Sequence, residues 1–370
     1  MQDTWRLDDY QQMLEAELAA ALERQADPNM DTEELVQSVV GSTLPKITDL
    51  LYAALAKRSA RMLREHRRLR RGFLRRNFKR WRAGFDLLER LIVISQETGA
   101  AINDTLRPKA VENNDAAFEA LTVNHARGVQ VVREILTLMM AGFADGAMGR
   151  WRTLHEIAVV AMFISDADPK TAERYILHEH VTSYRRAVNY MEHHERANLE
   201  PIEPEVMEAL KAAHDEVLKI DPRLKWQYGW AAEELNNDKP TFADLELATK
   251  LDHWRPRYKW ATVNTHGAYR QTMSTLGMSE SEEPVLLVGE SNSGMTDPAH
   301  MTAISLGLVT MPLIMLEPNI DRLAVAMIMQ RLTDEIGETF WRLDQETYAR
   351  SRTGKWWEFW RPKPRTIPVG

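Results

Sequence analysis

The stretch DGAMGRWRTLHEIAVVAMFI, residues 145–164, decides how this chain folds. From Ile157 to Ile164 it is apolar on every side at helical spacing, the pattern of a helix enclosed by other helices. Arg152 and Glu156 enter that apolar run one turn earlier and, four residues apart, can pair on one helix face. His155 follows Arg152 by three and sits on the same side. A buried Arg and Glu are costly unless paired. The cluster is therefore either an internal ion pair that fixes helix register or the polar part of a site in the bundle interior, faced by Arg174, Tyr175 and His178 on the following helix.

Helical periodicity continues on both sides of this stretch, and period-2 alternation is missing except for the short run Val285 to Val288. An all-α fold is expected, a multi-helix bundle core with an N-terminal helical module. Core helices are expected at about 83–98, 112–143, 147–165, 169–198, 204–218, 241–250, 255–275, 298–316 and 319–350. Gly, Pro and Asp cluster at the expected breaks, among them Arg107-Pro108, Gly142 to Gly146 and Asp166 to Pro169. Met301 to Leu316 reads as a buried core helix, too short and too interrupted to span a bilayer, with Pro312 kinking or breaking it. The polar stretch Ser279 to Pro298 is long for a helix connection and reads as a loop over a surface or a site.

Residues 1–82 read as the N-terminal module, 83–350 as the bundle core and 351–370 as a Trp/Pro-rich tail. The first 56 residues carry eleven acids against Arg6, Arg24 and Lys46. Helices are expected at about 6–25 and 31–40, the second capped by Asp31 with Glu34 three later, followed by a break at Gly41 to Pro45. Residues 57–82 then reverse the sign: thirteen Lys or Arg, including Arg67, Arg68, Arg70, Arg71, Arg75 and Arg76, against Glu65 alone, in a chain whose net charge is −7. Met62, Leu69 and Phe73 form an apolar line on this helix, so it docks on something by that face. Its cationic remainder suits nucleic acid, RNA or another, through phosphate neutralisation. Anionic lipid and the chain's own acidic regions are the other partners such a surface fits. In the tail, Trp356, Trp357, Phe359 and Trp360 either fold back on the core or form a docking motif for a protein partner or a membrane interface. Association of identical chains is compatible with all of this.

The 370-residue chain contains no cysteine, which removes disulfides, thiolate metal sites and cysteine nucleophiles, and points to the cytoplasm. None of its eleven histidines has Glu three residues before it, and no His-Glu-x-x-His occurs, so no metal site is expected. Walker, dinucleotide and nucleophile-elbow motifs are absent, and no cofactor is implied. A third polar group lies in RYKWATVNTHGAYR, residues 257–270, where Asn264, His266 and Tyr269 share an expected helix with Trp260 and Val263.

GFADGAMGRWRTLHEIAVVAMFI at 142–164, with NTHG at 264–267, resembles a family of uncharacterised bacterial all-helical proteins, on a pattern of Asp145, Arg152, Glu156 and His266. More distantly the chain resembles the HEPN superfamily, helical bundles that include ribonuclease toxins and phage-defence effectors. Those enzymes carry Arg, four to six residues, then His, the arginine binding phosphate and the histidine assisting attack by the ribose 2′-hydroxyl. Arg61 and His66, Arg150 and His155, Arg174 and His180, and Arg186 and His193 fit that spacing. Before His266-Gly267 it is Lys259 that stands where an arginine would, a phosphate ligand without the bidentate fork.

Three functions follow as expectations. The resemblance implies an RNA-acting effector with His266 or His155 as acid/base, Arg152 and Glu156 beside it, and the basic helix collecting RNA. The charge pattern suits a non-catalytic binding or scaffold protein. The buried polar cluster suits an enzyme or sensor for a small anionic metabolite held by Arg152 and Arg174.

Overall fold

A computed structural model describes residues 11–24, 32–267, 275–281, 283 and 286–352. The described residues are all helical or irregular, with no strand; Leu286 to Val288 is irregular, and Val285 lies outside them. Asp31 and the tail aromatics Trp356, Trp357, Phe359 and Trp360 also lie outside the described residues, as does Tyr269.

Among the described residues ten α-helices follow in order: α1 Gln11–Arg24, α2 Thr32–Asn113, α3 Ala116–Met140, α4 Ala144–Asp166, α5 Pro169–His193, α6 Pro204–Ile220, α7 Phe242–Ala248, α8 Arg255–Thr262, α9 Thr296–Leu316 and α10 Ile320–Arg352. The chain divides inside α2 into two units, residues 1–73 and 74–370. The expected breaks at Gly41 to Pro45 and at Pro108 are not there, because α2 runs unbroken through all of them. A proline removes one amide donor and displaces one carbonyl, a local cost that long flanking helix on both sides outweighs. Pro312 likewise sits inside α9 without ending it.

In the first unit α2 buries Leu35, Thr43 and Ile47 at four- and eight-residue spacing, one face of the helix. Beyond them, from Ala60 to Arg71, every side chain is exposed.

In the second unit α4 is the central element, packed against α3 and α9, and α10 lies on α9. As its apolar run requires, Ile157, Ala158, Val159, Ala161, Phe163 and Ile164 are buried. Trp151 is wholly buried and its indole N–H donates to Met301 O at 3.0 Å and Ser305 Oγ at 2.9 Å, so the ring's one polar atom is satisfied inside the core. Trp81 of α2 stacks on Phe340 of α10 and Phe85 meets the same ring edge-on, and a Cβ at Gly84 would stand 2.4 Å from that ring, so the close approach needs glycine. Asn77 closes the end of α3, its amide donating to Met139 O and Met140 O at 2.9 Å each. By length and composition α9 is apolar enough to cross a membrane, yet 61% of its apolar window is buried in the bundle, as expected of a core helix.

The loop after α8 is tied down at both described ends. Asp145 accepts the amides of Leu276 and Gly277 at 3.0 and 2.9 Å. Arg80 donates to Asn292 O at 2.8 Å and pairs with Glu280, while the Trp81 indole donates to the same Asn292 carbonyl at 2.9 Å. Gly294 turns the chain back at φ +77°, with Leu276 O only 2.4 Å from where a Cβ would be, so no other residue fits the turn.

Candidate functional site: a cationic cleft beside α4

A cavity of about 640 Å³ opens where α7, α8 and the segment 226–228 meet α4. Each wall comes from a local sequence device. Thr241 and Asp244 form a capping box that starts α7, the Thr241 amide and hydroxyl both donating to Asp244 Oδ2 at 2.7 and 2.8 Å. The turn so fixed carries Phe242 to the cleft wall and Glu246 into the core. Pro256 in the first turn of α8 sets that helix's entry, and two residues later Tyr258 faces Arg152.

Two ion pairs lie side by side. Arg152 reaches Glu156 Oε1 at 3.2 Å, and the Tyr258 hydroxyl donates to the same oxygen at 2.5 Å. The Arg152 guanidinium also lies over the Tyr258 ring, 4.8 Å from its centre. Burial works against the Arg152 charge, but the Tyr258 hydroxyl and the Glu156 carboxylate outweigh it and hold the guanidinium protonated. Burial, helped by Glu156, pushes the Tyr258 phenol up to about 12, and burial raises Tyr228 as well. Both tyrosines are therefore neutral hydroxyls near neutral pH.

The second pair is deeper. Glu246 has no accessible side-chain surface; its Oε1 lies 3.0 Å from His155 Nε2 and its other oxygen accepts from Arg255. His155 is itself 1% accessible and packed among Trp151, Phe242 and Tyr258. The cleft surface thus presents Arg152, Arg255 and Lys239 against one lining carboxylate, Glu156, between the rings of Trp226, Tyr228, Phe242 and Tyr258. Lys239 Nζ sits 4.1 Å over the Trp226 ring.

Of the sequence candidates, Arg152 and Glu156 line the cleft, paired as their spacing allows but half-buried, not enclosed. His155 stands behind it. Of the α5 residues only His178 touches the cleft wall, from behind. His178 Nε2 lies 2.9 Å from Trp226 O, and since a carbonyl only accepts, that nitrogen carries the proton; burial lowers its pKa. Arg174 pairs with Glu233 at 2.6 Å, and the Tyr175 hydroxyl donates to Asn124 at 3.3 Å. The expected helix through 275 ends instead at Thr262, leaving His266 exposed in the following bend and Asn264 against Gly149. Lys259 is exposed on α8 and does not line the cleft. Arg67, Arg68, Arg70 and Arg71 are exposed in the first unit, and Arg75 and Arg76 in the second.

Sequence reasoning missed Lys239, Glu246, Arg255, Tyr228 and Tyr258. Four of them sit on short helices or irregular chain, where no amphipathic period marks them, and Glu246 in LELA looks like an ordinary solvated helix residue. Among the described residues no group of three or more His, Asp or Glu is placed to hold a metal ion.

The fold and the cleft define a class: a helical-bundle protein with a positively lined, aromatic-walled cavity. Residues 118–284 match a family described as "Family of unknown function (DUF5677)", and this stretch, from α3 past α8, contains every residue of the cleft. No curated protein and no solved structure matches the chain.

Proposed function

We propose that this protein binds a small organic anion in the cleft, as a binding or sensing protein. The observation that supports this most is the pairing of Arg152 and Arg255 with separate carboxylates. Each carboxylate fixes its guanidinium in place, and a guanidinium has five N–H donors, so donors remain for a ligand carboxylate or phosphate. Lys239 adds a third positive charge at the rim, and the aromatic walls accept the apolar body of such a ligand.

Binding is favoured over RNA cleavage because a histidine acting on a ribose hydroxyl needs access to it. His155 is enclosed and bonded to Glu246, and His266 does not line the cleft. The test is thermal denaturation of the full chain with inorganic phosphate, nucleoside monophosphates and small dicarboxylates in turn. At least one should raise Tm, and Lys239→Gln and Arg255→Gln should each abolish the rise. No stabilisation by any anion, or a rise unaffected by both substitutions, sinks the reading.

A further inference from the structure

The basic part of α2 in the first unit carries a feature the cleft does not use. Lys57, Arg61, Arg64, Arg68 and Arg71 are spaced four, three, four and three residues apart, so they form one row along the helix. Arg58 and Arg67 stand on the two flanks of that row, and Arg70 lies toward the opposite face. All eight are exposed, and among the described residues none forms an ion pair with an acid. Arg71 Nε donates only to the backbone of Arg67. The acids among the described residues therefore leave this surface unneutralised. A helix that merely crosses solvent mixes both signs of charge at four-residue spacing, whereas Glu65 is the only acid from Lys57 to Arg71.

We propose that this segment binds double-stranded DNA, laid in the major groove and read through its phosphates. The row spans about 21 Å, over which one DNA strand presents about six phosphates to five aligned cations. The flanking arginines favour a groove, which has a phosphate wall on each side, over a lipid surface, which meets one side only. A membrane helix also needs a broad apolar face, and here Met62 and Leu69 are separated from Leu63 by His66 and Arg70. The major groove of B-form DNA admits an α-helix, and that of A-form RNA does not.

The experiment is fluorescence anisotropy of the full chain with a labelled DNA duplex, the RNA duplex of the same sequence, and phosphatidylserine vesicles, across a salt series. DNA should bind tightest, with log K falling against log salt at a slope of about −4.5 from the five row cations, or steeper as the flanking arginines add contacts. The triple variant Arg64→Gln, Arg68→Gln, Arg71→Gln should lower that slope by about 3 and weaken binding at least tenfold. Its circular dichroism should match the parent, because all three side chains are exposed. Absence of DNA binding, tighter binding to the RNA duplex or the vesicles, or a fully helical triple variant with the parent's affinity overturns the proposal. The DNA preference and salt slope of the unmodified chain are decisive even if the variant loses helicity.

Discussion

His155 on α4 and Glu246 on α7, 91 residues apart in the chain, meet at 3.0 Å with almost no accessible surface on either. Through Arg255, which holds the other oxygen of Glu246, this contact joins the core helix to the wall of the cleft. It makes the cleft part of the core's stability.

Removing the shared carboxylate should expose that dependence. Glu246→Ala leaves His155 and Arg255 without their acceptor and should lower unfolding free energy by about 3 kcal/mol in urea titration, with Glu246→Gln losing clearly less. Equal stability of Glu246→Ala and the parent would show the contact to be dispensable.

Tyr258 should behave as a buried donor. Its phenol, pushed up to about 12, should stay un-ionised in ultraviolet titration until well beyond the ordinary tyrosine range. Tyr258→Phe removes the hydrogen bond to Glu156 and should cost about 1 kcal/mol. Tyr228 is raised too, so Tyr258→Phe should remove one of the late-titrating phenols and leave the other, which assigns the signal.

The pH dependence of stability has a defined sign. Burial lowers His125 from 6.5 to about 4, with a hydrogen bond to the Ser95 backbone opposing it, and burial lowers His178 and His300 too. Between pH 6.5 and 4 the unfolded His125 takes up a proton that the folded one does not. Its stabilising contribution is complete above 6.5 and lost as pH falls through 4, by about 3 kcal/mol at most. Urea midpoints measured across this window should fall with pH, and His125→Gln should flatten the curve.

Asp145 should control the loop it anchors. Asp145→Ala frees the amides of Leu276 and Gly277 and should cost about 1–2 kcal/mol while speeding limited proteolysis between residues 279 and 291. Unchanged cleavage rates would place the loop's restraint in Arg80 and Trp81 instead.

The sequence alone determined the class of fold and the core of α4. The apolar run from Ile157 needs enclosure whatever surrounds it, and the i, i+4 pairing of Arg152 with Glu156 follows from helix geometry. Start signals carried similar weight: Asp168-Pro169 begins α5, with the Asp168 carboxylate accepting the Lys170 amide at 2.9 Å. Breakers were less decisive, because Gly41, Pro45, Pro108 and Pro312 all lie within helices that continue through them. Only the tertiary structure decided the cleft. Its second arginine, its tyrosines and the carboxylate behind His155 come from short elements far along the chain, and no local period shows that α7 and α8 pack against α4. Helical propensity and amphipathic spacing act over a few residues, whereas the meeting of Glu246 with His155 depends on how whole helices fill the core.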